Sequence, residues 1–164
     1  MIFNIKKGRH YSGSFFYKIL HLLNFKSRMS YYIYFDDSCL YNDETSHKYD
    51  VNKLFGFSIW YHHENSYRIG WNSLNNKINL YAYSYINGER IIQNLCVVET
   101  NQEYKCIINI NNSKVIFTVI DSESNINQVI QPITPKKVIG YKLWPYFGGT
   151  QIASHNMVIE LTEN

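Results

Sequence analysis

KINLYAYSYINGERIIQNLCVV, residues 77–98, is two runs of β-forming residues joined by one turn. From Lys77 to Tyr85 the side chains alternate. Ile78, Leu80 and Ala82 fall on one side, and Lys77, Asn79, Tyr81, Tyr83 and Tyr85 on the other. A period of two belongs to a strand, whose successive side chains point to opposite faces. Asn87-Gly88 then supplies a type I′ turn, which needs positive φ at both central residues. Arg90 to Val98 returns. The segment reads as an antiparallel hairpin with an apolar core face and a tyrosine-bearing outer face.

The same grammar extends in both directions. Ser30–Phe35, Phe55–His62, Tyr67–Trp71, Glu103–Ile110, Lys114–Ile120, Lys137–Leu143 and Met157–Leu161 are further strand candidates, separated by polar turn clusters. Ser122–Gln128 reads as a polar loop, and Phe15–Asn24 is the single stretch compatible with a helix. About nine to eleven strands at about ten-residue spacing predict an all-β, antiparallel two-sheet sandwich of jelly-roll type with at most one short helix. No linker or repeat interrupts residues 1–164, so a single domain is expected.

Composition agrees. Of 164 residues, 45% are hydrophobic and 16% aromatic, which excludes a disordered chain. There are 21 Ile, 19 Asn, 15 Tyr and 12 Lys against two Ala, Ala82 and Ala153, a balance that disfavours long helices. Net charge is +3 with 18% charged residues, which excludes a polycation. The one basic cluster, Lys6-Lys7-Gly8-Arg9-His10, is small for nucleic-acid affinity, so such a partner is not expected. No apolar run approaches 18 residues, so no helical membrane span and no membrane partner are expected. Met1–Lys7 lacks the apolar core of a signal peptide, from which synthesis in a cytoplasm is expected. In that compartment Cys39, Cys96 and Cys106 are expected as thiols, although a turn centred on Asn101 would place Cys96 and Cys106 across a hairpin.

Three groups of residues are candidates for function. The first surrounds one turn: His62, His63, Glu64, Ser66, Arg68 and Trp71. Alternation sets Arg68 and Ser66 on one face, opposite Tyr67, Ile69 and Trp71, and sends His62 and His63 to opposite faces of a strand, which makes them poor joint metal ligands. Arg grips carboxylates through two parallel donors, and His can move a proton near neutral pH. The second is the tyrosine face, a platform of the kind on which sugar rings stack. Cross-strand packing of tyrosines is the plainer explanation of that face. The third is Trp144-Pro145-Tyr146-Phe147-Gly148-Gly149, a loop whose glycines permit close backbone approach. No Gly-x-Ser-x-Gly, His-Glu-x-x-His or Gly-x-Gly-x-x-Gly motif is present, so no catalytic residue, metal or cofactor is assigned.

Lys7-Gly8-Arg9-His10-Tyr11 at the start, a long meander, then Tyr146-Phe147-Gly148-Gly149 and Ala153-Ser154-His155-Asn156 before a last apolar strand form a recognisable order. It resembles the jelly-roll β-sandwich of concanavalin A-like lectins and glucanases. That resemblance implies that both chain ends pair near the middle of a sheet. The glucanase acid triplet is absent. Asn52-Lys53-Leu54-Phe55-Gly56, His62-His63 and Asn65-Ser66-x-Arg68-x-Gly70-Trp71 are similar to uncharacterised proteins of gut Bacteroidetes and their phages.

The expectation is a lectin-like carbohydrate-binding or virion-associated module, with His62, Arg68, Trp71, Tyr83 and Tyr146 as ligand-binding residues. Its partner would be a glycan or another virion or cell-surface protein, and a homo-oligomer is compatible with it. The alternatives are a lyase-like enzyme cutting a polysaccharide in an Arg/His/Tyr groove, and a purely structural capsid or tail subunit. They differ in geometry. An enzyme needs Arg, His and Tyr converging in one groove, whereas a scaffold would bury them apart.

Overall fold

The computed structural model describes residues 1–13, 27–41, 50–59, 61–111, 113–133 and 140–164. The helix expected at 15–24, like Trp60, lies outside them. Among the described residues the only helical turn is a 3-10 turn, Asp37–Cys39, and no helix is long and apolar enough to cross a membrane.

Two antiparallel sheets pack as a sandwich. The strands are β1 (Ile2–Ile5), β2 (Arg28–Phe35), β3 (Asn52–Ile59), β4 (Asn65–Leu74), β5 (Lys77–Ile86), β6 (Glu89–Val98), β7 (Glu103–Asn111), β8 (Lys114–Ile120), β9 (Ile126–Pro132), β10 (Gly140–Leu143) and β11 (Met157–Glu163). One sheet has the order β1-β11-β2-β7-β8-β9 and the other β10-β3-β4-β5-β6. The core between them is largely apolar and rich in aromatic rings. Tyr31, Ile33, Phe35, Phe55, Tyr67, Ile69, Trp71, Leu80 and Phe117 are each at most 1% exposed. Burial of this apolar surface, at about 25 cal/mol per Å2, is what holds the sheets face to face.

The Asn87-Gly88 turn has the expected left-handed pair, φ 53° and 82°, and alternation on β5 puts Ile78, Leu80 and Ala82 in the core. Four expectations are corrected. Residues 126–132 form strand β9 where a loop was read through Gln128. His62 sits in the β3–β4 turn, because β3 ends at Ile59. The terminal strands do pair with each other, Ile2 opposite Glu160, but at one edge of the six-stranded sheet rather than mid-sheet. Cys96 and Cys106 do not sit on one hairpin: the link after β6 crosses to the other sheet, and all three cysteines are free thiols. Burial pushes the Cys39 and Cys106 thiols well above the usual range and Cys96 to about 11.

Candidate functional site

The register of the five-stranded sheet writes the floor of the site. Successive cross-strand pairs give one row, Leu143–Gly56–Arg68–Tyr83–Ile92, and a second, Tyr141–Ser58–Ser66–Tyr85–Arg90. A third runs Tyr146–Lys53–Gly70–Tyr81–Asn94. All face away from the core, since their neighbours Phe55, Phe57, Tyr67, Ile69, Leu80 and Ala82 face into it. The floor therefore carries Arg68 beside a tyrosine ladder. Gly56 and Gly70 are bare where a Cβ would meet Tyr67 O at 2.1 Å and Val51 Cγ1 at 2.5 Å.

Loops turn this face into a cleft of about 770 Å3. One wall is the β3–β4 turn, with His62 and His63. Another is β10 and the chain after it, with Tyr141, Lys142 and Tyr146. The 146–149 loop is held from below: Lys53 N donates to Tyr146 O (2.8 Å), Tyr146 N to Lys53 O (2.9 Å) and Gly148 N to Asn52 Oδ1 (2.5 Å). Gly148 at φ 72° makes that close turn. From outside, the N-terminal strap braces it. Phe147 N donates to His10 O (2.6 Å), and the His10 ring lies flat on Tyr146, with centroids 4.9 Å apart.

Electrostatics single out the site. The cleft lining includes Lys53, Arg68, Arg90 and Lys142, with His62 and His63, and no Asp or Glu among the described residues. Arg68 is only 9% exposed. Its Nε is buried without a hydrogen-bond partner, and the ion pairs found among the described residues, Lys77–Glu99 and Lys142–Glu163, do not involve it. A buried guanidinium is ordinarily paired, because stripping its water costs several kcal/mol. Burial lowers the Arg68 pKa.

Lys53 lies beside it. Its Nζ donates to Gly148 O (2.9 Å) and sits 5.1 Å from the Tyr83 ring centroid and 5.9 Å from that of Tyr146. Burial, then repulsion from Arg68, brings its pKa down to about 8. His62 Nδ1 shares a 3.1 Å hydrogen bond with the Tyr141 hydroxyl. Burial, then Arg68, then His63 push His62 down to about 4, so it is neutral at physiological pH. Tyr83, 3% exposed, is raised to about 12 chiefly by burial and remains a phenol.

Of the residues expected to bind ligand, His62, Arg68, Tyr83 and Tyr146 come together here. Trp71 does not. It is fully buried in the core against Phe35, Tyr41 and Phe147, on the face opposite Arg68. The turn also brings the His62 and His63 rings to 4.3 Å where a strand would have separated them, yet no metal-binding cluster occurs among the described residues. Tyr85 comes from the tyrosine face that the sequence offered as a platform, whereas Lys53, Arg90 and Tyr141 were missed. Lys53 had a signal, a lone cation inside the apolar run Asn52–Ile59.

No family model matches the chain, and no curated protein matches it in sequence. Solved structures do. An alginate lyase from Klebsiella pneumoniae superposes with a TM-score of 0.62 at 8% identity, over 84% of this chain and 59% of that one. A bifunctional GH43-CE protein of Bacteroides eggerthii gives 0.50 at 11% identity, over 98% of this chain and 21% of its own. The CBM2 module of an evolved Dit from Lactobacillus casei BL23 phage J-1 gives 0.43 at 11% identity, over 82% and 61%. The chain thus spans less than two thirds of each of these proteins. At such identities the likeness concerns the fold alone: this chain folds as a β-sandwich similar to those of carbohydrate-active proteins.

Proposed function

We propose that the cleft binds a strand of acidic carbohydrate and that the protein is a lectin-like binding module. One observation carries this reading: Arg68 lies buried on the cleft floor with an unpartnered Nε and no ion pair among the described residues. A sugar carboxylate supplies the missing acceptors, and the guanidinium fork suits it. Lys53 and Arg90 add positive charge with no acid in the lining among the described residues, offset in part at Lys53 by the carboxylate of Asp50 beside Gly149. Tyr85, Tyr141 and Tyr146 offer rings and hydroxyls to a pyranose. The likeness of the sandwich to carbohydrate-active folds supports the reading, as does the lectin-like order of motifs. A module carried on a virion or cell surface would present such a cleft to polymers outside the cell.

A second reading is eliminative cleavage of the same polymer, favoured by the convergence of Arg68, His62 and Tyr141. Arg68 would stabilise the negative charge that grows on the carboxylate when the neighbouring C–H is deprotonated. Neutral His62 would take that proton, and the Tyr141 phenol would hand one to the leaving oxygen. The glycosidic C–O bond then breaks, its oxygen takes a proton, and a C=C bond remains in the sugar.

One experiment addresses both. Purified protein is titrated calorimetrically with oligomers of uronic acids and with neutral glucan oligomers, and ultraviolet absorbance of unsaturated sugar is followed. Binding of the uronate set alone, lost in a folded Arg68→Ala variant, is the expected result. New absorbance would move the assignment to the lyase. No binding by either set would remove the carbohydrate reading and favour a structural subunit.

A further inference from the structure

The sandwich has four sheet edges, and three are protected. β1 is four residues long and runs into Lys6 and Lys7. β10 is four residues long and carries Lys142. β6 opens with Glu89-Arg90 and has a register shift opposite Leu80/Tyr81. Shortness, charge and bulges are the usual devices that stop an exposed strand from pairing with another chain. β9 has none of them. It is seven residues long, pairs with β8 without a register shift, and every residue from Asn125 to Ile133 is uncharged. Its only obstacle is Pro132 at the very end, and no described residue pairs with its outer edge.

The face beside that edge is apolar. Ile126 is 62% exposed and Ile130 53%. In register with them on β8 stand Ile120 and Ile116, both half-buried. This patch is separate from the cleft, which lies on the other sheet.

We infer that β9 is a self-association edge whose occupant is the β9 of a second copy of this chain, paired antiparallel about a two-fold axis. Self-pairing suits this strand for a stated reason. With the axis through Val129, Ile130 stands opposite Gln128 of the second copy and Ile126 opposite its Pro132. No like charges meet, and the isoleucine faces of the two copies become continuous. A two-fold contact must be complementary to itself, which an uncharged strand satisfies and a charged one does not. The two six-stranded sheets join into one, and the outward backbone groups of β9 gain partners. One strand pair is a small interface, so the dimer is a weak, concentration-dependent one.

The test is sedimentation velocity of the full chain over a concentration series, comparing wild type, Ile130→Lys, Ile126→Lys and the control Ile152→Lys. Ile152 is also 53% exposed, in the loop before β11. Circular dichroism identifies the folded variants, and having two β9 variants guards against the misfolding of one. Wild type and Ile152→Lys should dimerise alike, with each folded β9 variant weakened at least about tenfold by the introduced charges. Amide exchange within 126–132 should slow as wild-type concentration rises. A wild type that stays monomeric up to millimolar concentration overturns the inference. So does a dimer that the β9 variants leave intact, or that Ile152→Lys weakens equally.

Discussion

A single guanidinium and a single ammonium set the character of the cleft. Arg68 is held where its charge is poorly solvated and has no ion pair among the described residues, so folding is carried out at its expense. Arg68→Met keeps the volume and removes the unpaired charge. It should raise stability by about 1–2 kcal/mol in urea unfolding while weakening acidic-glycan binding by about 2 kcal/mol. A structural role would give the opposite sign on stability. Lys53 titrates at about 8, below its ordinary 10.5. Between those values the unfolded chain holds the extra proton, so stability rises with pH across about 8 to 10.5. Affinity for an anion runs the other way and falls as pH rises through about 8, because the ammonium is lost. Lys53→Met should flatten both profiles, read by thermal melts and by calorimetric titration at stepped pH. At this scale the sequence already set Arg68 on the face opposite Tyr67 and Ile69, and the strand register put it beside the tyrosines. It also already placed Trp71 on the opposite face, and the core position of Trp71 follows from that same alternation.

At the scale of elements, most strands were legible, and β1, β9 and the end of β3 were not. β5 and β6 could be read because Asn87-Gly88 fixes the register and one face is wholly apolar. β9 was hidden because its burial pattern is exposed almost throughout, so it has no alternation to detect. The end of β3 was overrun because Trp60-Tyr61-His62 continues its aromatic composition, although Glu64 N and Asn65 N both turn back to Tyr61 O. That turn is what carries His62 over the cleft. Gly56 is the weak point of the floor. A methyl there would overlap Tyr67 O and approach Arg68 Cα to 2.7 Å, both backbone atoms that cannot yield. Gly56→Ala should cost about 3 kcal/mol or more, or prevent folding, measured by the denaturation midpoint. Gly88→Ala, strained only by its φ of 82° with Glu64 Oε2 no nearer than 3.7 Å, should cost about 1 kcal/mol.

For the whole molecule, the sandwich is one cooperative unit whose thiols report on its opening. Cys39 and Cys106 lie at 0% exposure on the six-stranded side of the core. A thiol reagent should modify them in native buffer only at the rate of global unfolding, and rapidly in denaturant, followed by mass spectrometry. Acid should loosen the same unit. His62 titrates at about 4 when folded against an ordinary 6.5, so stability is lost as pH falls across that window, and His62→Gln should remove that share of the loss in pH-stepped melts. Binding of a polyanion should weaken as salt rises, since the attraction is spread over Lys53, Arg68 and Arg90 and screened within about 10 Å at 0.1 M.

By itself, the sequence determined an all-β antiparallel sandwich, the two faces of β4 and β5 and the outward placing of Arg68 and Tyr83, because period-two alternation and turn chemistry are local properties. Only the tertiary structure decided that β6 and β7 belong to different sheets. It also decided that Tyr146 is pinned over Lys53, that His62 meets Tyr141, and that no acid lines the cleft among the described residues. Those are outcomes of pairing between segments as far apart as Lys53 and Tyr146. Alternation tells each strand which side to bury, but not which strand will lie beside it.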